Sequence, residues 1–230
     1  PLETRPLTLR NTCNKIISGA INNTIKPVLM DGIDPSQRGF IPKRQMIDNI
    51  VDVESAAILQ ALRAGPSDSL KHGSCALILL FDFLAAFPSI AHAWIFACLE
   101  MSGAPQYLIN IVKGLYFNCK AWVRVPSGFE HVFFILSGIL QGCPLSGSLF
   151  AIAVEPLIRG LRKSLYSSFP DGRNGLVAAC ADDIAIAIPS ISKLLVIIPL
   201  LERIANAAGL VLQMRKTLFV PTSIAWSDAL

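Results

Sequence analysis

The sequence predicts an α+β fold in which a largely antiparallel sheet packs against helices. Apolar residues recur at three- and four-residue spacing in several stretches, which is typical of amphipathic helices. Short continuous apolar runs bounded by turn residues lie between them, which is typical of buried strands. Two pairs of runs are joined by short turn sequences, as in β-hairpins. The 230 residues suffice for one large domain, or for a domain with a smaller lobe.

The first part of the chain is predicted to hold two helices. Residues 7–30 carry apolar residues at helical spacing and are followed by the turn-rich sequence DGIDPSQRG. The second helical pattern covers residues 46–62 and ends where Gly, Pro and Ser accumulate. Residues 64–74 are therefore predicted to form a mobile loop.

A strand, two helices and a hairpin are predicted next. The continuous apolar run at 75–83 indicates a strand buried on both faces, with Asp82 at its carboxyl end. Residues 89–101 and 105–117 have the apolar spacing of two amphipathic helices. The runs KAWVRV and HVFFILS, joined by the turn sequence PSGFE, predict a hairpin.

The last part of the chain is predicted to alternate between helices and strands. The loop GILQGCPLSGSL leads into a helical pattern over residues 149–161. The sequence LVAACADDIAIAIP predicts a second hairpin with Asp182 and Asp183 at its turn. Residues 191–208 predict a final helix, and residues 209–221 predict an extended segment.

The composition raises the question of a membrane protein, since 53% of the residues are hydrophobic and the mean hydropathy is +0.54. Two stretches, 75–99 and 176–201, are apolar enough to be considered as membrane spans. The first carries Asp82 and the second carries Asp182 and Asp183. An Asp at a bilayer centre costs about 2.5–3.5 kcal/mol, so no transmembrane segment is expected.

The cysteines and the net charge further limit the kinds of site, cellular setting and partner that the sequence suggests. Six cysteines are scattered without Cys-x-x-Cys spacing, and the three histidines pair with none of them, which argues against a zinc site and a disulfide framework. A reducing, intracellular setting is expected, with nucleus and cytoplasm both left open. No signal peptide is visible. The net charge of +4 is too small to indicate a polyanionic partner by itself.

Three acids lie in the most apolar parts of the chain: Asp82, Asp182 and Asp183. A buried, ionised carboxylate is unfavourable unless a cation or a donor compensates it. If the strand ending at Asp82 lies beside the hairpin of the other two acids, the three carboxylates converge at one sheet edge. Carboxylate oxygens suit Mg²⁺, and a pair of such ions supports nucleotidyl transfer. For each acid alone, a helix cap or a turn is the alternative.

Six sequence blocks, in order along nearly the whole chain, resemble the reverse transcriptase domain of non-LTR (LINE-type) retrotransposons. The blocks are RPLTLRNTCNKIISGAINNTIKPVL, DPSQRGFIPKRQMIDNI, FDFLAAFPSIAH, GILQGCPLSGSLFAIAVEPLIRGL, CADDIAIAI and GLVLQMRKTLFVP. The resemblance implies the fingers and palm of a right-hand polymerase, with an antiparallel sheet packed on helices.

By this resemblance, residues 1–74 belong to the fingers, residues 75–221 form the palm with its catalytic motifs, and residues 222–230 begin a downstream region. The chain looks like an excerpt from a longer product. The thumb and any endonuclease are expected to be missing from it. The isolated fragment is therefore expected to be inactive.

The resemblance implies an RNA-directed DNA polymerase from a retrotransposon. Its partners would be an RNA template, a DNA primer and deoxynucleoside triphosphates, and its cofactor would be a pair of Mg²⁺ ions, for which Mn²⁺ could substitute. Asp82 and Asp182 would bind the two metals, and Asp183 would assist as the third catalytic acid.

The resemblance also implies substrate-binding residues. Arg5 would contact the incoming triphosphate, and Phe87 would lie under the sugar, where its ring excludes a 2′-hydroxyl. Gln141 and Gly142 would approach the nucleotide and the template. Lys216 would sit near the departing pyrophosphate as a proton donor.

Lys43 and Arg44 would contact the backbone of the template as nucleic-acid-binding residues. For these two residues and for the substrate-binding residues, ordinary structural roles remain the alternative. The Arg and Lys residues could be surface residues, Phe87 could pack in the core, and Gln141 and Gly142 could belong to a plain loop.

Two other functions remain open. An RNA-dependent RNA polymerase shares the palm, but such enzymes usually carry a second acid at the position of Phe87. A truncated or non-catalytic relic of a reverse transcriptase would only bind nucleic acid. The intact acids at positions 82, 182 and 183 argue against loss of the active site.

Overall fold

The computed structural model describes residues 11–64, 75–140, 142–167 and 175–222. The helices are α1 (Thr12–Gly32), α2 (Met46–Ala64), α3 (Ala86–Ser89), α4 (His92–Met101), α5 (Gln106–Tyr116), α6 (Ser146–Ser167) and α7 (Leu194–Ala208). The strands are β1 (Leu77–Phe81), β2 (Lys120–Val125), β3 (Gly128–Phe134), β4 (Leu176–Cys180), β5 (Asp183–Ile188) and β6 (Leu218–Pro221). The predicted α+β class is confirmed.

The two N-terminal helices follow the predicted pattern. Helix α1 begins after Asn11, whose side-chain oxygen accepts a hydrogen bond of 2.8 Å from the backbone N–H of Asn14. This is an N-cap, which satisfies one of the free donors of the first helical turn. Helix α2 matches the predicted 46–62 with a small extension. The predicted loop at 64–74 lies almost entirely outside the described residues.

A four-stranded antiparallel sheet carries the site, in the order β4-β5-β1-β6. Strands β4 and β5 form the predicted hairpin, and β5 lies directly beside β1 with Phe81 opposite Ile184. Strand β6 covers the other edge of β1, with Leu80 opposite Leu218. The extended segment predicted at 209–221 is wrong in its middle, where residues 213–217 form a turn before β6.

The prediction that β1 is buried on both faces is wrong. Leu77, Leu79 and Phe81 are buried on one face, whereas Leu80 on the other face is 38% exposed. The cause is the antiparallel sheet, since such a sheet can leave part of one face to solvent, unlike the parallel sheet that a continuous apolar run suggests.

Two boundaries also differ from the predictions. The helix predicted at 89–101 begins only at His92, because residues 86–89 form the separate short helix α3. The turn of the first hairpin is shorter than PSGFE, since β3 already begins at Gly128. The hairpin itself, β2 paired with β3, is confirmed.

Helix α6 is the centre of the hydrophobic core. Its buried side chains recur at helical spacing, and α1, α4 and α7 pack against it, as does β4. Its fully buried large side chains are Leu149, Phe150, Leu157, Ile158, Leu161 and Leu165. Within the described part of the chain, no helix combines the length and the apolar character needed to cross a bilayer.

Candidate active site

Three carboxylates lie together at one edge of the four-stranded sheet. Asp82 directly follows β1, Asp182 lies in the two-residue turn between β4 and β5, and Asp183 is the first residue of β5. Because Phe81 pairs with Ile184, continuing the register by one residue brings Asp82 opposite Asp183. The predicted neighbourhood of the strand and the hairpin is therefore confirmed. We name this group of three acids the acidic edge.

The carboxylates of the acidic edge repel one another. Burial, followed by the negative charges of Asp182 and Asp82, raises the pKa of Asp183 above its usual value. Burial and the charges of Asp183 and Asp182 likewise raise the pKa of the neighbouring Cys180 thiol. A carboxyl whose pKa is raised by burial and by neighbouring negative charges is suited to bind a cation, whose positive charge favours its ionised form.

The acidic edge does not form a closed metal cage. Across residues 11–64, 75–140, 142–167 and 175–222, no three or more His, Cys, Asp and Glu side chains are arranged to hold a metal ion by themselves. This donor set still fits Mg²⁺, which binds through one or two protein carboxylates and takes its remaining ligands from water and substrate phosphates.

Lys216 is the basic residue beside the acidic edge. Its Nζ lies 3.7 Å from Oδ2 of Asp82, and its side chain is 71% exposed. The turn that carries it is held by the backbone, because the N–H of Gln213 donates to the carbonyl of Asp82 at 2.8 Å. An ion pair with so exposed a lysine contributes little to stability. The functional interest of Lys216 is therefore its position beside the acidic edge.

Gln37 holds in place the turn of Ala181 and Asp182 between β4 and β5, which we call the acidic turn. Its Oε1 accepts hydrogen bonds from the N–H of Gly39 at 2.7 Å and of Ala181 at 2.8 Å, and its Nε2 donates to the carbonyl of Ala181 at 3.1 Å. Gln37 is fully buried, and Ala181 has a left-handed backbone with φ of 59°. An alanine in this conformation is unfavourable by itself, so the contacts of Gln37 stabilise the turn that presents Asp182.

The segment around Gln37 also pairs with β4. The N–H of Arg38 donates to the carbonyl of Ala179 at 2.7 Å, and the N–H of Ala179 donates to the carbonyl of Ser36 at 2.8 Å. Asn49 of α2 adds a side-chain hydrogen bond of 2.9 Å to the same carbonyl of Ala179. The loop before α2 therefore extends the sheet with a short parallel bridge.

Gly39 lies in backbone contact with the acidic turn. A Cβ at this position would lie 2.1 Å from the backbone nitrogen of Ala181 and 2.9 Å from its Cα. No side chain fits there without moving the turn. Sequence reasoning missed Gln37 and Gly39, because a turn-rich loop gives no sign of which distant strand it meets.

Phe87 belongs to a cluster of three aromatic rings. Its ring stacks on Phe150 with centroids 4.1 Å apart, and it meets Phe40 edge-on at 5.8 Å. Phe87 is half-buried, whereas Phe150 is fully buried. The packing holds the orientation of the ring but leaves part of it accessible, so the predicted contact with the sugar stays a prediction.

Three other residues are predicted to contact the nucleotide, namely Arg5, Gln141 and Gly142. Gly142 is exposed and has φ of +86°, a conformation that favours glycine. Arg5 and Gln141 lie outside the described residues. The predicted contacts of these residues with the nucleotide stay predictions.

The two predicted template-binding residues differ in their surroundings. Lys43 is exposed, with φ of 64°. Arg44 is half-buried, and its guanidinium donates hydrogen bonds to four backbone carbonyls, those of Met30, Ile33, Asp34 and Gln37. Arg44 thus joins the end of α1 to the loop of Gln37. This structural role was not foreseen, and the predicted contact with template stays untested.

An apolar cavity lies away from the acidic edge. It has a volume of about 520 Å³ and an apolar lining from α1, α4, α5 and α6. Burial raises the pKa of the Cys98 thiol in its wall to about 12, so this thiol is unreactive at neutral pH. No acid of the acidic edge contributes to the cavity.

The fold is similar to that of chains in solved telomerase structures. A chain in the structure of apo telomerase from Candida tropicalis aligns with a TM-score of 0.64, 10% identity and 90% coverage of this chain, which spans 37% of that chain. A chain in the structure of telomerase from Candida albicans in complex with a fragment of telomeric RNA aligns with a TM-score of 0.62 and 13% identity, over 90% of this chain and 34% of that one.

The chain belongs to the reverse transcriptase (RNA-dependent DNA polymerase) family, whose family model matches residues 2–226. A 149 kDa protein of transposon TX1 from Xenopus laevis is 30% identical over 78% of this chain and 13% of its own length. The Pol polyprotein of retrotransposable element R2DM from Drosophila melanogaster is 29% identical over 79% of this chain and 16% of its own length. The resemblance to non-LTR retrotransposon reverse transcriptases is confirmed, and the chain spans a small part of these relatives.

Proposed function

We propose that the protein is an RNA-directed DNA polymerase that adds deoxynucleotides to the 3′-hydroxyl of a primer. The observation that carries this proposal is the acidic edge, formed by Asp82, Asp182 and Asp183 on adjacent strands of a reverse transcriptase family chain. Its partners would be an RNA template, a DNA primer and deoxynucleoside triphosphates. Residues 1–74 would serve as fingers and residues 75–221 as palm.

Asp82 and Asp182 would hold a pair of Mg²⁺ ions, with Asp183 assisting and Mn²⁺ as a possible substitute. The raised pKa of Asp183 supports this assignment, because burial and the neighbouring charges of Asp182 and Asp82 disfavour its ionised form, which a bound cation would favour. When bound, such a pair of ions activates the attacking hydroxyl and stabilises the leaving pyrophosphate. The chain's own contribution is to hold the carboxylates at one edge, and Gln37 does this for the turn of Asp182.

Several side chains would bind the nucleotide around the acidic edge. Lys216 would donate a proton to the departing pyrophosphate, and its position beside Asp82 supports this role. Phe87 would support the sugar and exclude a 2′-hydroxyl. Arg5 would bind the triphosphate, because a guanidinium matches phosphate oxygens with several donors. Gln141 and Gly142 would approach the nucleotide and the template strand.

Lys43 and Arg44 would face the template backbone. Lys43 would act directly through its charge. Arg44 would act chiefly through the loop that it holds, since its donors bind four carbonyls.

Primer extension tests the proposed activity. The complete protein that contains these 230 residues is incubated with Mg²⁺, a DNA primer on an RNA template, and deoxynucleoside triphosphates. We expect template-directed extension that stops on chelation and resumes with Mg²⁺ or Mn²⁺, and little extension by the isolated chain. A complete, folded protein that binds the template but extends no primer would contradict the proposal and favour a relic.

Truncating Phe87 tests the choice between deoxynucleotides and ribonucleotides. We expect Phe87→Ala to raise the use of ribonucleotides relative to deoxynucleotides by roughly tenfold, because removing the ring opens space for the 2′-hydroxyl. The measurement is single-nucleotide incorporation with each class of substrate. The matched control is Phe40→Ala, which removes the edge-on neighbour of Phe87 without emptying the proposed sugar site. If both variants keep wild-type selectivity, Phe87 is a packing residue only.

A further inference from the structure

The hairpin of β2 and β3 exposes an unusual number of aromatic side chains. It forms a separate two-stranded sheet, and every residue of β3 is exposed. Phe129 is 70% exposed and Trp122 is 56% exposed. A hairpin without further strands is marginally stable in water, and clustered exposed apolar side chains mark a binding surface.

One face of this hairpin combines rings with positive charges. Cross-strand partners share a face, and the register pairs Trp122 with His131, Arg124 with Phe129 and Lys120 with Phe134. We call this the aromatic face. Its six residues are Lys120, Trp122, Arg124, Phe129, His131 and Phe134.

Contacts are present among four side chains of the aromatic face. Trp122 contacts His131 edge-on with centroids 5.6 Å apart, and His131 contacts Phe134 at 4.9 Å. The Nζ of Lys120 lies 5.2 Å from the centroid of Phe134. The rings of Trp122, His131 and Phe134 thus form a row across both strands, and Lys120 lies beside its end.

The charge on the aromatic face is of one sign. Lys120 and Arg124 are its charged residues, whereas Glu130 pairs with Val123 on the opposite face. A surface of rings and cations is complementary to a ligand that has flat, stackable groups and negative charges. Single-stranded nucleic acid has both, since its bases stack on aromatic side chains and its phosphates attract Lys and Arg.

The hairpin is anchored to the part of the chain that carries the proposed nucleotide site. At its base, the N–H of Ile135 donates to the carbonyl of Cys119 at 2.8 Å. In the segment that follows, the N–H of Gly138 donates to the carbonyl of Ile90 at 2.7 Å, and the N–H of Ile139 donates to the carbonyl of Phe87 at 2.7 Å. The hairpin is therefore fixed at its base, while every residue of β3 is exposed in the described part of the chain.

We propose that the aromatic face binds single-stranded RNA outside the polymerase active site. Bases stack on Trp122 and Phe129, and Lys120 and Arg124 contact phosphates. The choice of RNA over single-stranded DNA rests on the proposed function, whereas the surface itself does not depend on it. The contacts made are to rings and phosphates, so binding is insensitive to sequence.

Fluorescence anisotropy with a short labelled oligouridylate tests the proposal on the whole chain. An excess of unlabelled RNA–DNA duplex is present to occupy the proposed polymerase cleft. We expect Phe129→Ala and Trp122→Ala each to weaken binding by roughly tenfold. The matched control is Phe133→Ala, an equally large truncation of a 58% exposed ring on the opposite face, which leaves binding unchanged.

Two further measurements report on the local contacts. Arg124→Gln lowers the slope of the salt dependence by about one unit, because one phosphate contact is lost. RNA quenches the fluorescence of Trp122, and Trp122→Phe removes this quenching while keeping most of the affinity. Replacing the probe with oligodeoxyuridylate separates RNA from single-stranded DNA. Tighter binding of the DNA probe would overturn the choice of RNA.

Other outcomes would overturn the surface itself. Equal weakening by Phe129→Ala and Phe133→Ala would show a general apolar effect. Wild-type RNA affinity in Phe129→Ala, together with loss of a dimer in sedimentation, would show that the face binds protein. Asp182→Asn separates the two proposals, because it is expected to block primer extension while oligouridylate binding stays at the wild-type level.

Discussion

Asp82→Asn and Asp182→Asn are each expected to lower the rate of primer extension by at least about 10³-fold. Both substitutions keep the size of the side chain and remove a negative charge from the acidic edge. Besides burial, the negative charges of Asp82 and Asp182 oppose ionisation of Asp183 in the folded state, so stability is expected to stay the same or to rise. The measurements are single-turnover primer extension and thermal unfolding of the same preparations.

The combination of lost activity and retained stability separates a catalytic role from a structural one. Asp31→Asn is the matched control, since Asp31 is an exposed acid at the end of α1, on another element. It is expected to extend primers at the wild-type rate. Full activity in either Asp82→Asn or Asp182→Asn would remove the acidic edge from the mechanism.

Gly39→Ala is expected to lower activity by about 10²-fold, although Gly39 carries no chemical group. The new Cβ would lie 2.1 Å from the backbone nitrogen of Ala181, so the acidic turn must move. Overpacking of this kind also lowers the free energy of unfolding by about 1–3 kcal/mol. Urea unfolding and single-turnover extension measure the two effects.

Gly114→Ala is the matched control for this prediction. A Cβ on Gly114 meets nothing within 4 Å, and the residue lies within α5, so stability should hold or rise slightly. Gln37→Leu should reproduce the loss of activity, because it removes the side-chain hydrogen bonds that hold Ala181. Wild-type activity in a folded Gly39→Ala variant would show that the turn tolerates displacement.

The acidic edge could be predicted from sequence because its signals are local. Asp82 ends a continuous apolar run, and Asp182 and Asp183 interrupt another at a turn. Apolar runs and turn-forming residues are patterns of neighbouring positions, so the sequence shows them directly. To predict that the two apolar runs pair, it is enough to assume that strands with apolar faces join one sheet.

The support of the acidic edge could not be predicted in the same way. Gln37 lies 144 residues before Ala181 along the chain, and nothing in the local pattern joins the two. A Gln in a sequence rich in Asp, Pro, Ser and Gly is expected to face solvent, yet this one is fully buried. The structural role of Arg44 could not be predicted for the same reason, because its carbonyl partners are brought together only by folding.

The exposed hairpin shows a third limit of sequence patterns. Its apolar content predicted two strands, and both are present. The apolar content does not reveal that Phe129 and Trp122 are exposed, on a sheet that has two strands in the described part of the chain. Hydrophobic periodicity identifies a strand, but the presence of a covering layer depends on distant parts of the fold.

Binding of Mn²⁺ tests most directly whether Asp82 and Asp182 share metal ions. Electron paramagnetic resonance follows a Mn²⁺ titration of the complete protein with a non-hydrolysable deoxynucleoside triphosphate. We expect Asp82→Asn and Asp182→Asn each to weaken Mn²⁺ binding by about tenfold or more, with Asp31→Asn unchanged. Wild-type Mn²⁺ affinity in either of the first two variants would contradict a shared metal site at the acidic edge.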